Sequence, residues 1–226
     1  KSMKGMKFSM YLIKLSANHP SFHTINFNPV GLSLVVGKQH DLEQPDQKKT
    51  YNGVGKSLMI RLIHFCLGSN SIEEFEKKIP DWTFSLVFVI DNQVFTAIRN
   101  TSKQMKIRLN EEEYNLKDYR AYLEKLIFKI PSESKFLSFR SLISRFIRPF
   151  KTSYTKVLYA DPKEKKEIQN MMNVAYLLGL DLDLTLRKWE LKEEYEKIET
   201  QRKNIKSDPV LKEFFSHYQD EKIPIV

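Results

Sequence analysis

Cysteine is almost missing from the sequence: Cys66 is the single one among 226 residues, so no internal disulfide forms. Long apolar runs are missing too, since LSLVV and SLVFVI fall far short of the roughly 18 residues that a membrane-spanning helix needs. The first residues contain no apolar stretch typical of a signal peptide. These absences exclude a disulfide scaffold, argue against a membrane protein and predict a cytoplasmic one.

Histidine is scarce as well. Its five copies show none of the spacings typical of metal ligands, so we expect no zinc site. Hydrophobic residues make up 41% of the chain, which is enough for the buried core of one large domain with or without an extension.

Positive charge is what the sequence has in excess, with 37 Lys and Arg against 28 Asp and Glu. Residues 99–150 hold most of this excess, because 12 basic residues there stand against six acidic ones. Such a surface suits double-stranded DNA, whose phosphates release counterions to basic side chains. The candidate contacts are Arg140, Arg145 and Arg148. The alternatives are a solvated face, or pairing with acids across a protein interface.

Hydrophobic periodicity predicts a mixed α/β fold. Residues 10–17 and 24–37 are β-rich, and GLSLVVG is expected to be a buried strand that ends at Gly37. A polar surface loop is expected next, at 38–50. Two apolar runs at 82–98 surround Asp91-Asn92-Gln93, which predicts a hairpin, and another strand is expected at 105–109. Helices are expected at residues 56–67, 119–128, 139–146, 162–179 and from 184 onward.

The strongest chemical signal is a phosphate-binding motif between a predicted strand and a predicted helix. Its glycines allow backbone N–H groups to turn toward a phosphate, Lys56 reaches the phosphates as a point charge, and Ser57 places a hydroxyl on Mg²⁺. The candidate nucleotide-binding residues are Asn52, Gly53, Val54, Gly55, Lys56, Ser57 and Leu58.

The motif departs from the full P-loop pattern in one respect. Thr50 stands where the pattern GxxxxGK[ST] has its first glycine. The strand-end glycine is Gly37, and 17 residues separate it from Gly55 where the pattern has four. About 13 residues are therefore inserted, and a glycine-rich turn that merely caps a helix is the alternative interpretation.

The order of motifs resembles the N-terminal lobe of an SMC-like, ABC-type ATPase head. The matching segments are Ile13 to Leu15, Asn18 to Phe22, Phe27 to Gly37, Asn52 to Ser57, and Phe65 to Gly68. The insertion and the sequence FRSLISRFIR look most like bacterial SMC-like ATPases of multi-component anti-phage systems. The resemblance implies a P-loop NTPase fold, with a head lobe at 1–183 and a helical extension at 184–226.

The same resemblance implies ATP, Mg²⁺, dimerisation of two heads, DNA and defence-system subunits as partners. In such proteins a C-terminal lobe carries the signature motif, the Walker B acid and the catalytic Glu. No LSGGQ-like signature occurs here, and neither Gln93 nor Gln104 is a convincing Q-loop glutamine. We therefore expect that lobe elsewhere in a longer protein or in another chain, and little ATPase activity from this chain alone.

Two aspartates imitate a strand-end metal ligand, which hydrolysis needs. Asp91 follows an apolar run, but Asp-Asn-Gln is also turn chemistry. Asp181 follows a run that reads as helix. Two rivals thus remain: a nucleotide-free scaffold with a degenerate P-loop, and a compact P-loop kinase or GTPase that uses Asp91.

At the C-terminal end, Leu184, Leu191, Ile198 and Ile205 recur every seven residues. This spacing is typical of a coiled-coil seam, although polar residues occupy two of the three alternate seam positions. The start of a coiled coil and an ordinary amphipathic helix remain open at this point.

Overall fold

The computed structural model describes residues 10–36, 55–131, 134–149 and 167–209. The chain divides into two compact units, with the boundary between Asn173 and Val174. None of the helices in the described ranges is both long and apolar enough to cross a membrane.

A six-stranded antiparallel sheet forms the centre of the first unit, with strand order β2-β1-β3-β4-β5-β6. The structure is therefore mixed α/β, as the periodicity predicts. The strands are β1 (Met10–Ala17), β2 (Ile25–Asn26), β3 (Thr83–Ile90), β4 (Gln93–Asn100), β5 (Lys106–Leu109) and β6 (Glu112–Asn115).

The predicted hairpin is confirmed as β3 and β4, which pair from Thr83–Asn100 to Ile90–Gln93. Asp91 and Asn92 form its turn with φ of +47° and +66°. A two-residue turn of this kind needs positive φ at both positions, which Asn and Asp tolerate better than most residues. The strand predicted at 105–109 is confirmed as β5.

Helix α1 (Lys56–Cys66) packs against β3 and β4 and confirms the helix predicted at 56–67. Leu62, Ile63, Phe65 and Cys66 form its buried face, and Phe84, Leu86 and Phe88 are buried on β3. The 3.6-residue spacing of apolar positions on α1 and the two-residue spacing on β3 let both faces meet in one core.

Cys66 lies in this core, as its place on the apolar face predicts. Burial raises the pKa of its thiol to about 12, and the nearby Arg99 guanidinium lowers it less than burial raises it. The thiolate is the reactive form of cysteine, so the folded protein holds Cys66 inert.

We expect Cys66 to resist a thiol reagent such as 5,5′-dithiobis(2-nitrobenzoate) at pH 8 in the native protein and to react promptly in urea. Titration of released thiolate with and without denaturant measures this. Rapid reaction of the native protein would mean that α1 detaches readily from the sheet.

The shorter helical elements of this unit are α2 (Glu73–Lys78), α3 (Leu116–Leu123), a π-helical segment (Glu124–Phe128) and α4 (Phe139–Ile143), of which α3 packs against β5 and β6. Asn115 begins α3, because its side-chain Oδ1 accepts the N–H of Asp118 at 2.9 Å. Ser138 begins α4, because its Oγ accepts the N–H of Ser141 at 3.2 Å. The helices predicted at 119–128 and 139–146 are thus present with shifted ends.

The strand predicted from GLSLVVG is wrong in this structure. Residues 32–36 form no strand, and their apolar side chains are exposed, with Leu32 at 80%, Leu34 at 75% and Val36 at 57%. A strand forms only when neighbouring backbone satisfies its N–H and C=O groups. The part of the chain described here offers this segment no such neighbour. The polar loop predicted at 38–50 lies outside the described residues.

Helix α5 (Glu167–Leu177) lies within the helix predicted at 162–179 and crosses the boundary between the units. Helix α6 (Leu182–Ser207) follows, and none of its side chains is buried. Asp181 caps it, since its Oδ1 accepts the N–H of Leu184 at 2.9 Å.

Candidate nucleotide-binding site

The start of α1 carries the described part of the phosphate-binding motif. Gly55 is its N-cap residue, with φ of +82°, a left-handed conformation that a residue with a Cβ rarely adopts. Its carbonyl accepts the N–H of Met59 at 3.0 Å, which is the first hydrogen bond of the helix. Lys56, Ser57 and Leu58 follow with exposed side chains. Asn52, Gly53 and Val54 lie outside the described residues.

This helix terminus suits an anion for three physical reasons. The first backbone N–H groups of a helix have no intrahelical acceptor, and the helix dipole places positive charge there. The first turn contains no acidic residue, and its N-cap residue, Gly55, provides no side-chain hydrogen bond to its N–H groups. Lys56 adds a full positive charge, and Ser57 adds a hydroxyl of the kind that binds Mg²⁺ in P-loops. The residues present therefore fit a nucleotide phosphate and its metal ion.

The other end of α1 is fixed by a buried arginine that the sequence did not single out as structural. Arg99 on β4 is 1% exposed, and its Nη1 donates to the carbonyls of Phe65 and Ser69 at 2.7 and 2.9 Å. Its Nε and Nη2 both donate to the carbonyl of Gln104, at 2.9 and 2.6 Å. The guanidinium also lies 4.1 Å from the centre of the Phe65 ring.

Burial lowers the pKa of Arg99 to about 10, so the group stays protonated at neutral pH. Its hydrogen bonds bring the last carbonyls of α1 and the loop behind them onto the sheet. Arg99 is one of the 12 basic residues of segment 99–150, and its burial removes it from any contact with DNA. Part of the positive charge of residues 99–150 therefore stabilises the fold.

Two further side chains satisfy carbonyls at this helix end. Tyr119 Oη donates to the carbonyl of Cys66 at 3.0 Å, and Arg120 Nε donates to that of Gly68 at 2.7 Å. Gly68 itself, with φ of +85°, lies against the Tyr119 ring, which leaves little space for a side chain. Gly68 signals the helix end in the sequence, but the partners come from more than 50 residues away.

The two glutamines considered for a Q-loop have other environments. Gln104 is buried, and its side-chain amide accepts from the N–H of Ile72 and donates to its carbonyl, at 2.7 and 3.0 Å. This pair of bonds ties the loop before α2 to the loop before β5. Gln93 is the exposed first residue of β4.

The two aspartates considered as metal ligands also have structural roles. Asp91 is an exposed turn residue, and its carboxylate lies 3.8 Å from Lys129 Nζ. Asp181 is the helix cap described above. Both positions agree with the turn and helix interpretations of the sequence.

The three candidate arginines for DNA do not share one environment. Arg140 Nη1 donates to the Asn70 side chain at 3.0 Å, and Arg120 Nη2 donates to the same oxygen at 3.0 Å. Arg148 instead lines a largely apolar cavity of about 580 Å³, whose walls come from β1, α1, the π-helical segment and α4. Arg145 is half-buried. Asn70 and Arg120 were not among the predicted site residues, because no local sequence pattern relates them to Arg140.

The fold and site define a mixed α/β protein in which an antiparallel sheet holds a helix whose N-terminus suits a phosphate. No family model matches the chain. The chain is similar to the "Uncharacterized protein YydD" of Bacillus subtilis (strain 168), with 26% identity over 197 residues. The match covers 80% of this chain and 32% of that protein, so the chain spans about a third of its relative's length.

Proposed function

We propose that this chain is the ATP-binding, N-terminal part of an SMC-like, ABC-type ATPase head. It binds ATP with Mg²⁺ and couples binding, hydrolysis and pairing of two heads to the engagement of DNA or of a partner subunit. The observation that carries the proposal is the start of α1, where Gly55 in a left-handed conformation precedes exposed Lys56 and Ser57. The buried face of α1 and the Arg99 hydrogen bonds hold that helix rigidly against the sheet.

The exposed segment 32–36 supports the proposal that this lobe is completed by a second lobe. Leu32, Leu34 and Val36 alternate as in a strand, but their side chains are exposed. Burying a Leu or Val side chain stabilises a protein by roughly 1.5–3 kcal/mol, so a covering structure is expected. We propose that it is the C-terminal lobe with the Walker B and signature motifs, in line with a match that covers only 32% of the relative.

The seam on α6 supports a coiled coil that starts at residue 184. Leu184, Leu191, Ile198 and Ile205 all have exposed side chains on the helix. Their seven-residue spacing places them along one stripe, which a second helix would cover. This helix carries the described part of the proposed helical extension at 184–226.

DNA and defence-system subunits are proposed as the targets of the ATPase, and the cytoplasm as its compartment. The excess of basic over acidic residues supports DNA as a target. Arg99 does not contribute to this support, because it is buried. Arg140, Arg145 and Arg148 remain the proposed contacts, and each would meet phosphates rather than base edges, because no base-reading motif occurs.

The compact kinase or GTPase is the enzyme alternative, and it requires Asp91 to bind the metal ion. The hairpin turn gives Asp91 a complete structural explanation, with positive φ and a neighbouring Lys129. The scaffold alternative requires that the start of α1 bind no nucleotide.

We expect the purified chain to bind ATP but to hydrolyse it far more slowly than the order of 1–1,000 per second typical of enzymes, since it lacks a catalytic Glu. Phosphate release measured with the chain and with the Asp91→Asn variant tests this. Turnover near one per second that disappears in Asp91→Asn would replace the head-lobe proposal with the compact NTPase.

A further inference from the structure

A positively charged cluster lies beyond the C-terminal end of α1, where the side chains of Arg120 and Arg140 converge on Asn70. Arg120 on α3 and Arg140 on α4 each donate to Asn70 Oδ1 at 3.0 Å. The two guanidinium groups therefore hold a single neutral oxygen between them. Asn70 is exposed and both arginines are partly exposed, so the cluster opens to solvent.

Neither arginine has a carboxylate partner among the residues that the structure describes. Their hydrogen bonds go to the Gly68 carbonyl and the Asn70 side chain, and the ion pairs of the described ranges involve other residues. Each guanidinium has five N–H donors, and these bonds use two on Arg120 and one on Arg140. Donors thus remain on both sides of the amide oxygen.

No acidic side chain of the described ranges compensates the charge of this cluster. Burial and, to a smaller extent, the neighbouring Arg140 guanidinium together lower the pKa of Arg120 to about 10. Two like charges this close destabilise each other unless an anion joins them. A carboxylate in the cluster would have raised this pKa.

Both arginines are held in place before any ligand arrives. Arg120 is anchored by the Gly68 carbonyl at 2.7 Å, and Arg140 lies on α4, whose first turn is fixed by the Ser138 cap. A site that is already ordered loses little entropy when it binds. This arrangement differs from exposed lysines, which sample many conformations.

We propose that Arg120, Arg140 and Asn70 form a binding site for a phosphate group, distinct from the start of α1. Two guanidinium groups match the charge of −1.5 to −2 on a phosphate monoester, and they also pair with the single charge of a phosphodiester in a nucleic-acid backbone. Their planar forks pair with two oxygens each, which suits a tetrahedral oxyanion placed between them. The phosphate comes either from a small molecule or from a nucleic-acid backbone.

The test uses the full chain with Lys56→Ala as background, so that the start of α1 does not contribute. In that background we compare Arg140→Gln, Asn70→Asp and Arg108→Gln. Arg108 is an exposed arginine on β5 and matches the charge change of Arg140 without its contacts. Asn70→Asp places a carboxylate between the guanidinium groups, where it competes with any external anion.

The first arm measures Tm in sodium phosphate and in sodium chloride at equal ionic strength. At phosphate about tenfold above its Kd, the background and Arg108→Gln should gain about 3–6 °C over chloride. Arg140→Gln and Asn70→Asp should gain nothing. Asn70→Asp should also raise Tm in chloride itself, because its carboxylate pairs with both arginines.

The second arm measures binding of a 20-base-pair duplex against salt. If the phosphate belongs to nucleic acid, Arg140→Gln should weaken binding more than Arg108→Gln and reduce the salt slope by about one. If it belongs to a small molecule, the two variants bind duplex equally and only the first arm responds. The proposal is overturned if neither arm distinguishes Arg140→Gln and Asn70→Asp from Arg108→Gln.

Discussion

Lys56→Ala is expected to reduce ATP affinity by about 10- to 150-fold, because a hydrogen bond to a charged group contributes about 1.5–3 kcal/mol. The side chain is exposed at the first position of α1, so its loss should change the free energy of unfolding by no more than about 0.5 kcal/mol. Isothermal titration calorimetry with ATP, with and without Mg²⁺, measures the affinity. Urea unfolding of the same samples measures the stability.

The matched control is Lys117→Ala. Lys117 is also exposed in the first turn of a helix, α3, but lies outside any phosphate-binding motif. It should bind ATP as the parent does. If Lys56→Ala is folded and binds ATP with undiminished affinity, the start of α1 is not a nucleotide site and the scaffold alternative gains. Titration with GTP in parallel separates an ATPase from a GTPase.

Arg99→Met should reduce stability strongly and leave ATP affinity of the folded protein unchanged. Arg99 contacts the C-terminal end of α1, whereas the candidate nucleotide site lies at its start. The substitution keeps a long apolar stem but removes the hydrogen bonds to the carbonyls of Phe65, Ser69 and Gln104. The Phe65 carbonyl keeps the N–H of Gly68 as a donor, whereas the buried carbonyls of Ser69 and Gln104 lose the partner that Arg99 provides. Each such loss costs about 1–3 kcal/mol, so we expect a total loss of about 3–5 kcal/mol. Urea unfolding followed by circular dichroism measures it.

Arg108→Met is the control for this change, because it removes an exposed arginine from the neighbouring strand. Its effect should stay within about 0.5 kcal/mol. Equal stability of the Arg99 and Arg108 variants would show that the end of α1 has other means of satisfying its carbonyls. A destabilised Arg99→Met that still binds ATP when folded would confirm that the two ends of α1 have separate roles.

Much of the first unit could be predicted because the determinants are local. Helix α1, the β3–β4 hairpin and strand β5 each follow from apolar spacing and turn residues within a window of about ten residues. The burial of Cys66 follows from the same spacing. The turn role of Asp91 follows from its neighbour Asn92, since both tolerate positive φ.

The prediction of a buried strand at 32–36 failed for a different reason. Its apolar residues have the right pattern, but a strand also needs a neighbouring strand, and a sequence pattern does not reveal whether one is present. The exposed side chains of residues 32–36 support the proposal that a further lobe covers them. The heptad spacing of α6 likewise does not reveal whether a second helix covers its seam. None of the side chains of α6 is buried.

Local sequence likewise predicted one part of the candidate site and not the other. Gly55, Lys56 and Ser57 are adjacent in the chain, so the sequence by itself determined the motif and its place at the start of a helix. Only the tertiary structure decided which arginines remain accessible. Arg99 meets Phe65 across 34 residues, and Arg140 meets Asn70 across 70. Contacts between residues so far apart depend on how the sheet and helices pack, and a local pattern carries no record of that packing.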